Sequence, residues 1–284
     1  MSPKANVALE YAVHLCRMTN SVLNVIHIAE EEDRRIEAQI LQQLDAITQK
    51  ASVDGVRSGL VFRYGDFMSS ISSVLNEYGI DLVVVAADRS TGFGQKLFGS
   101  SIMKLMERIR VNALVVQENS SGLPDSLRRM LITPSSHDNF SEYIQKSIDF
   151  ARLASGQVEM LIIGHEDSLP EKLKNNVKRA QEIASAAGMT ITVHSIEHNP
   201  RATGYSRQIL AFAAEKNIQL VSMLLESSPE AANFGKAEES ETKVESEGID
   251  FLIEMNREGA YFGRAEKQAM LKNQNGILIL SINA

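Results

Sequence analysis

Asp81-Leu82-Val83-Val84-Val85-Ala86-Ala87-Asp88-Arg89-Ser90-Thr91-Gly92-Phe93-Gly94 opens the stretch whose reading decides the fold, and Gly99-Ser100-Ser101 and Asn112-Ala113-Leu114-Val115-Val116 complete it. Leu82 to Ala86 is short, β-branched and apolar on both faces. That pattern suits a strand covered by helices on both sides of a parallel sheet. Ile102, Leu105, Met106 and Ile109 then recur at helical spacing, and Val111 to Val116 returns to strand character. The unit is strand, glycine loop, helix, strand. Its helix start at Gly99-Ser100-Ser101 presents backbone N–H groups and the positive end of a helix dipole, which suit a phosphate; Ser100 as a plain helix cap is the alternative.

Taken together, these residues resemble the C-terminal signature of universal stress protein domains. In that family the loop reads Gly, two residues, Gly, nine residues, Gly, Ser/Thr, and wraps the phosphates of ATP in members that bind it. Gly99-Ser100 keeps the final pair, while Ala86 and Arg89 stand at the first two glycine positions. The resemblance implies a flavodoxin-like or adenine-nucleotide-hydrolase-like α/β fold with strand order 3-2-1-4-5 and helices on both faces. Its ligand crevice would lie between strands 1 and 4.

Working outward toward the N-terminus, Asp66 is a candidate N-cap for a helix carrying Phe67, Ile71, Val74, Leu75 and Tyr78, and Leu60 to Tyr64 reads as a strand. Ile36, Ile40, Leu44 and Ile47 make an amphipathic helix beside the charge run Glu31 to Arg35, which reads as a solvated face. Val22 to Ile28 is a strand, and Ala8, Tyr11, Ala12 and Leu15 mark a helix only a few residues in. A domain of this kind opens with a strand. By the resemblance, Ser2-Pro3 match the residues after that strand, so the first repeat is expected to lack it and the Asp that contacts the nucleotide. A fragment, a shortened gene, or completion by a strand from elsewhere would each account for this.

Toward the C-terminus the chain repeats itself. Met130 to Thr133 supplies an opening strand, and Phe150-Ala151 with Val158 to Ile163 echo Leu15-Cys16 with Leu23 to Ile28 at an offset of 135. The offset grows to 138 between Leu82 and Leu220 and to 164 between Val115 and Ile279. Rising offsets with preserved local patterns indicate a duplication with insertions. The expected organisation is therefore a first domain over 1–119, a linker over 120–126, and a second domain over 127–284 with an acidic insertion at about 226–250. Phe251 to Ile253 is a candidate extra strand. The two domains would pair through Ala113 to Val116 and Ile277 to Leu280, an intramolecular pseudo-dimer, with a homodimer as a further assembly.

The 284 residues carry 44% hydrophobic side chains, enough for a packed core. With 36 acidic against 29 basic residues the net charge is −7, and no basic cluster is interleaved with aromatics, which argues against a nucleic-acid partner. No apolar run is long enough for direct membrane insertion, and a cytoplasmic location is expected. Cys16, the single cysteine, reads as an inert thiol on an apolar helix face.

Catalytic arrangements find little support. His194 and His198 stand four apart in a strand pattern with no cysteine or flanking acid, so a surface pair explains them. Asp66 and Asp88 follow strands where catalytic groups often sit, yet a cap and a turn residue account for both. Gly263 is followed by Arg264, not Ser or Thr, and Thr133-Pro134-Ser135-Ser136 has no Asp at the matching place, so nucleotide binding is not expected in the second repeat. The expectation is a non-enzymatic stress-response or regulatory module with weak or lost adenine-nucleotide binding, ATP or AMP being the ligand where one is bound. By the resemblance its site would comprise Ile28, Gly92, Gly99, Ser100 and Ser101, with no metal. Two alternatives stand beside it: a cytoplasmic regulatory domain of a membrane cation/proton antiporter, and a slow ATPase.

Overall fold

The structure, a computed structural model, describes residues 3–29, 32, 34–87, 111–117, 119–120, 122–199, 205–224, 270 and 277–282. In chain order the elements are α1 (Pro3–Thr19), β1 (Leu23–Ala29), α2 (Arg34–Val53), β2 (Ser58–Tyr64), α3 (Phe67–Tyr78), β3 (Leu82–Ala86) and β4 (Asn112–Val116). They continue as β5 (Arg129–Ile132), α4 (Phe140–Leu153), β6 (Gln157–Ile163), α5 (Glu171–Ala186), β7 (Ile191–Ile196), α6 (Tyr205–Glu215), β8 (Leu220–Leu224) and β9 (Leu278–Ile282). The fold is α/β, with mostly parallel strands.

Seven strands form one sheet in the order β3-β4-β9-β8-β5-β6-β7, and β1 and β2 form a separate parallel pair. Within the larger sheet every pairing is parallel except β4 with β9, where Leu114 faces Leu280. Side chains alternate across the pleat as period-two geometry requires. Met130, Ile132, Met160, Ile162, Leu278 and Leu280 enter a core under α1, α4 and α5, while Leu131, Leu161, Val221, Met223 and Ile279 enter the opposite core under α6. Both faces are covered, which is why β8 and β9 read as nearly unbroken apolar runs. Burying the three aliphatic side chains of β5 stabilises the fold by roughly 1.5–3 kcal/mol each. At the mouth of the β5–β6 pair, Gly156 permits a close approach: a Cβ there would lie 2.6 Å from the Arg128 carbonyl oxygen.

The N-terminal strands are arranged differently. A single sheet was to be expected from β1 to β4, but β1 pairs only with β2 and β3 only with β4, because no strand among the described residues lies between β1 and β3. Helices hold the two pairs together. Ile71 and Leu75 of α3 pack on Ile26 and Ile28 of β1 and on Val83 of β3. On the other side, Tyr11 and Leu15 of α1 pack with Leu82, Val84 and Ala86, while Val13 packs with Leu23, Ala51 and Val56. The α3 helix is closed at both ends: the Asp66 carboxylate accepts from the Ser69 N–H at 2.9 Å, and Gly79 takes a left-handed conformation at φ 59°.

The connector ahead of β5 is less solvated than its Ser/Gly/Pro composition predicts. Ser120, Ser126 and Leu127 are buried. Ser120 Oγ accepts from the Gln117 N–H, and the Ser126 hydroxyl lies 2.9 Å from the Tyr11 hydroxyl of α1. The partner that buries Ser126 is 115 residues away in sequence. Local composition cannot register it.

Candidate functional site

In sheets of this kind ligands bind where neighbouring strands diverge at their C-terminal ends. The larger sheet has such a point between β5 and β8. Their pairing ends at Leu131 and Val221, while β8 stays paired with β9 as far as Leu224 and Ile282. A side chain from α4 occupies the divergence. Tyr143, fully buried, donates its hydroxyl to the Ser222 carbonyl at 2.9 Å, and the Ser147 and Ser222 hydroxyls lie 3.2 Å apart beside it. Burial pushes the Tyr143 phenol well above its ordinary range, so it stays a neutral donor.

The loop above this point is braced from within. The Ser135 hydroxyl accepts from the His137 N–H, His137 Nδ1 accepts from the Asn139 N–H, and Asn176 donates to the Ser135 carbonyl at 2.6 Å. Lys172, 2.8 Å away, holds the exposed Asp138 carboxyl below the usual range. Thr133 is buried and no acidic side chain stands at the end of β5.

In the N-terminal segment the corresponding gap lies between β1 and β3. Of the sequence-predicted site residues Ile28 alone is described, half-buried against Ile71 and Leu75 of α3. Gly92, Gly99, Ser100 and Ser101 lie outside the described residues, as do Asp88, Arg89, the acidic insertion, Phe251 to Ile253 and Gly263. Among the described residues no group of three His, Cys, Asp or Glu side chains could hold a metal ion. No described helix is long and apolar enough to cross a membrane.

One charged cluster was not anticipated. Glu159 of β6, buried, receives Arg129 Nε at 2.8 Å and Nη2 at 2.7 Å on one oxygen, and His194 Nε2 lies 2.8 Å from the other. Arg129 also donates to the Lys216 carbonyl at 2.6 Å, and the His194 ring stands 5.2 Å from Phe212. The reading of His194 and His198 as a surface pair lacking an acid is therefore corrected. Strand β7 ends at Ile196, so the two rings part: His194 finds its acid on the neighbouring strand, and His198 packs on Tyr205 at 5.4 Å. The acid set among apolar residues in Val158-Glu159-Met160-Leu161 was the available signal, because such a carboxylate needs a partner in the sheet. The cluster ties β5, β6, β7 and α6 together near the strand starts, away from the divergence. Cys16 is half-buried, and burial pushes its thiol up, which keeps it a poor nucleophile.

Residues 1–117 match the universal stress protein family, and that segment is a domain of this family. In fold the chain is similar to a universal stress protein from Archaeoglobus fulgidus DSM 4304, with a TM-score of 0.66 at 12% identity, covering 100% of this chain and 93% of that one. It is also similar to a functionally unknown protein from Pseudomonas aeruginosa PAO1, with a TM-score of 0.60 at 12% identity over 97% and 87% of the two chains. At such identities the likeness is one of fold. A comparison with curated proteins finds no match.

Proposed function

From the universal stress protein domain over residues 1–117 we infer that the whole chain is a tandem regulatory module of the universal stress protein type, non-enzymatic, with adenine-nucleotide binding weak or lost. The observation that carries the reading is the sheet order. Strands β5 to β9 lie as β7-β6-β5-β8-β9, which is the 3-2-1-4-5 order, and β4 meets β9 antiparallel so that one sheet continues across both segments. Two repeats joined by their last strands would produce this arrangement.

The chemistry of the described crevice supports a binding or interaction role over catalysis. Its polar groups are committed to one another, and Tyr143 fills the place where strands diverge. No nucleophile stands beside a base and an oxyanion site there. Any adenine nucleotide would rest on the first repeat, at Gly92, Gly99, Ser100 and Ser101 with Ile28 nearby.

Thermal unfolding with ATP, AMP and cyclic AMP, run beside a phosphate-release assay on ATP, tests this. A ligand present at its own Kd adds only about 0.4 kcal/mol, whereas one at 100 times Kd adds about 2.7 kcal/mol. A shift of the first size or none at millimolar nucleotide, with no phosphate released, is expected. A shift of the second size at micromolar ATP, or sustained phosphate release, overturns it.

A further inference from the structure

A cleft of about 240 Å³ opens between α1, the end of α2 and the connector ahead of β5. Leu9 and Val13 of α1 and Leu123 of the connector supply its apolar lining, and Val13 is buried in one cluster with Ala51 of α2. Charged groups complete it. Glu10, His14 and Arg17 follow one another at helical spacing on α1 and so share a face, while Lys50 and Asp54 come from the last turn of α2 and the residue after it.

Two of these charges are spent on each other. Arg17 Nη2 lies 3.4 Å from the Asp54 carboxylate, and Arg17 Nε donates to the Asp54 carbonyl at 3.2 Å. Lys50 and Glu10 then give the lining one cation from α2 and one anion from α1, beside the half-buried His14 ring. Burial and the nearby Arg17 lower the pKa of His14, so its imidazole is neutral at pH 7 and offers one donor and one acceptor. An apolar lining flanked by one cation and one anion matches a molecule with an apolar body and a charge of each sign. The volume falls below the roughly 300–1,000 Å³ of pockets that hold drug-sized ligands, so the match is to something smaller.

We propose that this cleft binds a small zwitterion, an aliphatic α-amino acid, with its carboxylate paired to Lys50, its ammonium to Glu10 and its side chain on Leu9, Val13 and Leu123. The site is independent of the nucleotide reading, because α1 and α2 end where β1 and β2 begin, whereas the crevice of such a sheet lies at the strand C-termini. Lys50 and Glu10 are exposed, so each pairing is weak and the Kd should lie in the millimolar range.

Titration of histidine ring signals by NMR on the full chain tests this, with glycine, L-alanine, L-valine and L-leucine as probes and the His14 signal assigned by its loss in His14→Asn. The His14 signal should shift saturably, most tightly with L-valine or L-leucine, while that of His198 in the C-terminal segment stays in place. Isovalerate, which lacks the ammonium, and isoamylamine, which lacks the carboxylate, should each bind about fivefold more weakly than L-leucine, the upper end for an exposed ion pair. Glu10→Gln and Lys50→Gln, exposed helix positions where Gln keeps the helix propensity, should each weaken L-leucine to a similar degree with thermal unfolding unchanged. No saturable shift with any of the four amino acids at tens of millimolar, or binding of isovalerate or isoamylamine equal to that of L-leucine, overturns the proposal. So does an L-leucine affinity that both variants leave unchanged.

Discussion

The strands of the two segments differ in burial far more than in composition. Val83-Val84-Val85 is at least as β-branched and apolar as Val221-Ser222-Met223, yet β3 is half-buried at every position whereas β8 is buried at every position. The difference lies on the other edge of each strand: β8 has β5 beside it, and β3 has no second strand beside it among the described residues. Burial of a strand in a parallel sheet is thus set by its neighbour, and a strand's own pattern states only what it could support. The sharpest way to break this comparison is a matched pair of truncations. Leu131→Ala, in the centre of the larger sheet, should cost about 3 kcal/mol, within the usual 2–5 kcal/mol for a fully buried aliphatic side chain. Val84→Ala in β3 should cost about 1 kcal/mol or less, since it removes less buried volume at a half-exposed site. Urea midpoints at unchanged m-value decide between them. Equal losses would mean that β3 is held as tightly as β5.

The polar groups of the C-terminal segment supply the next test. Glu159→Gln leaves Arg129 and His194 around a neutral amide and should cost about 2 kcal/mol, discounted from the 3–5 kcal/mol of a wholly buried pair because the Arg129 side chain is 39% exposed. Tyr143→Phe removes one buried donor and strands the Ser222 carbonyl, for about 1–2 kcal/mol. If Tyr143→Phe also creates nucleotide binding, measured as a thermal shift with ATP, then Tyr143 blocks a competent crevice and does not merely brace it.

Much of this was legible in the sequence, for identifiable reasons. The runs at Leu82, Asn112, Gln157, Leu220 and Leu278 fall on strands because a strand covered on both faces must be apolar throughout. Asp66 could be read as a cap since its partner, the Ser69 N–H, is three residues away. What escaped was long-range. Glu159 meets His194 across 35 residues, Ser222 meets Tyr143 across 79, and Ser126 meets Tyr11 across 115, and no local pattern encodes such partners. The candidate nucleotide site is a separate matter: Ile28 is placed on the α3 side of β1, and the glycine and serine positions lie outside the described residues.

The smallest expected effect concerns acid. His14 of α1 and His27 of β1, both in the N-terminal segment, have pKa values lowered from 6.5 by burial, His14 also by the nearby Arg17. A histidine that resists protonation when folded binds more protons when unfolded, so stability rises with pH between the two pKa values and is lost as pH falls below about 6.5. In the C-terminal segment His194 rests on the buried Glu159 carboxylate. Acidification from pH 7.5 to 5.5 should therefore speed amide exchange in α1, β1 and β2 while leaving β6 and β8 as they were. In His27→Phe, whose ring can keep the stacking on Phe62, that acid sensitivity should shrink. A uniform loss of protection across both segments would show instead that the two titrate and unfold as one unit, and that the half-burial of β1 and β3 does not make the N-terminal segment the weaker part.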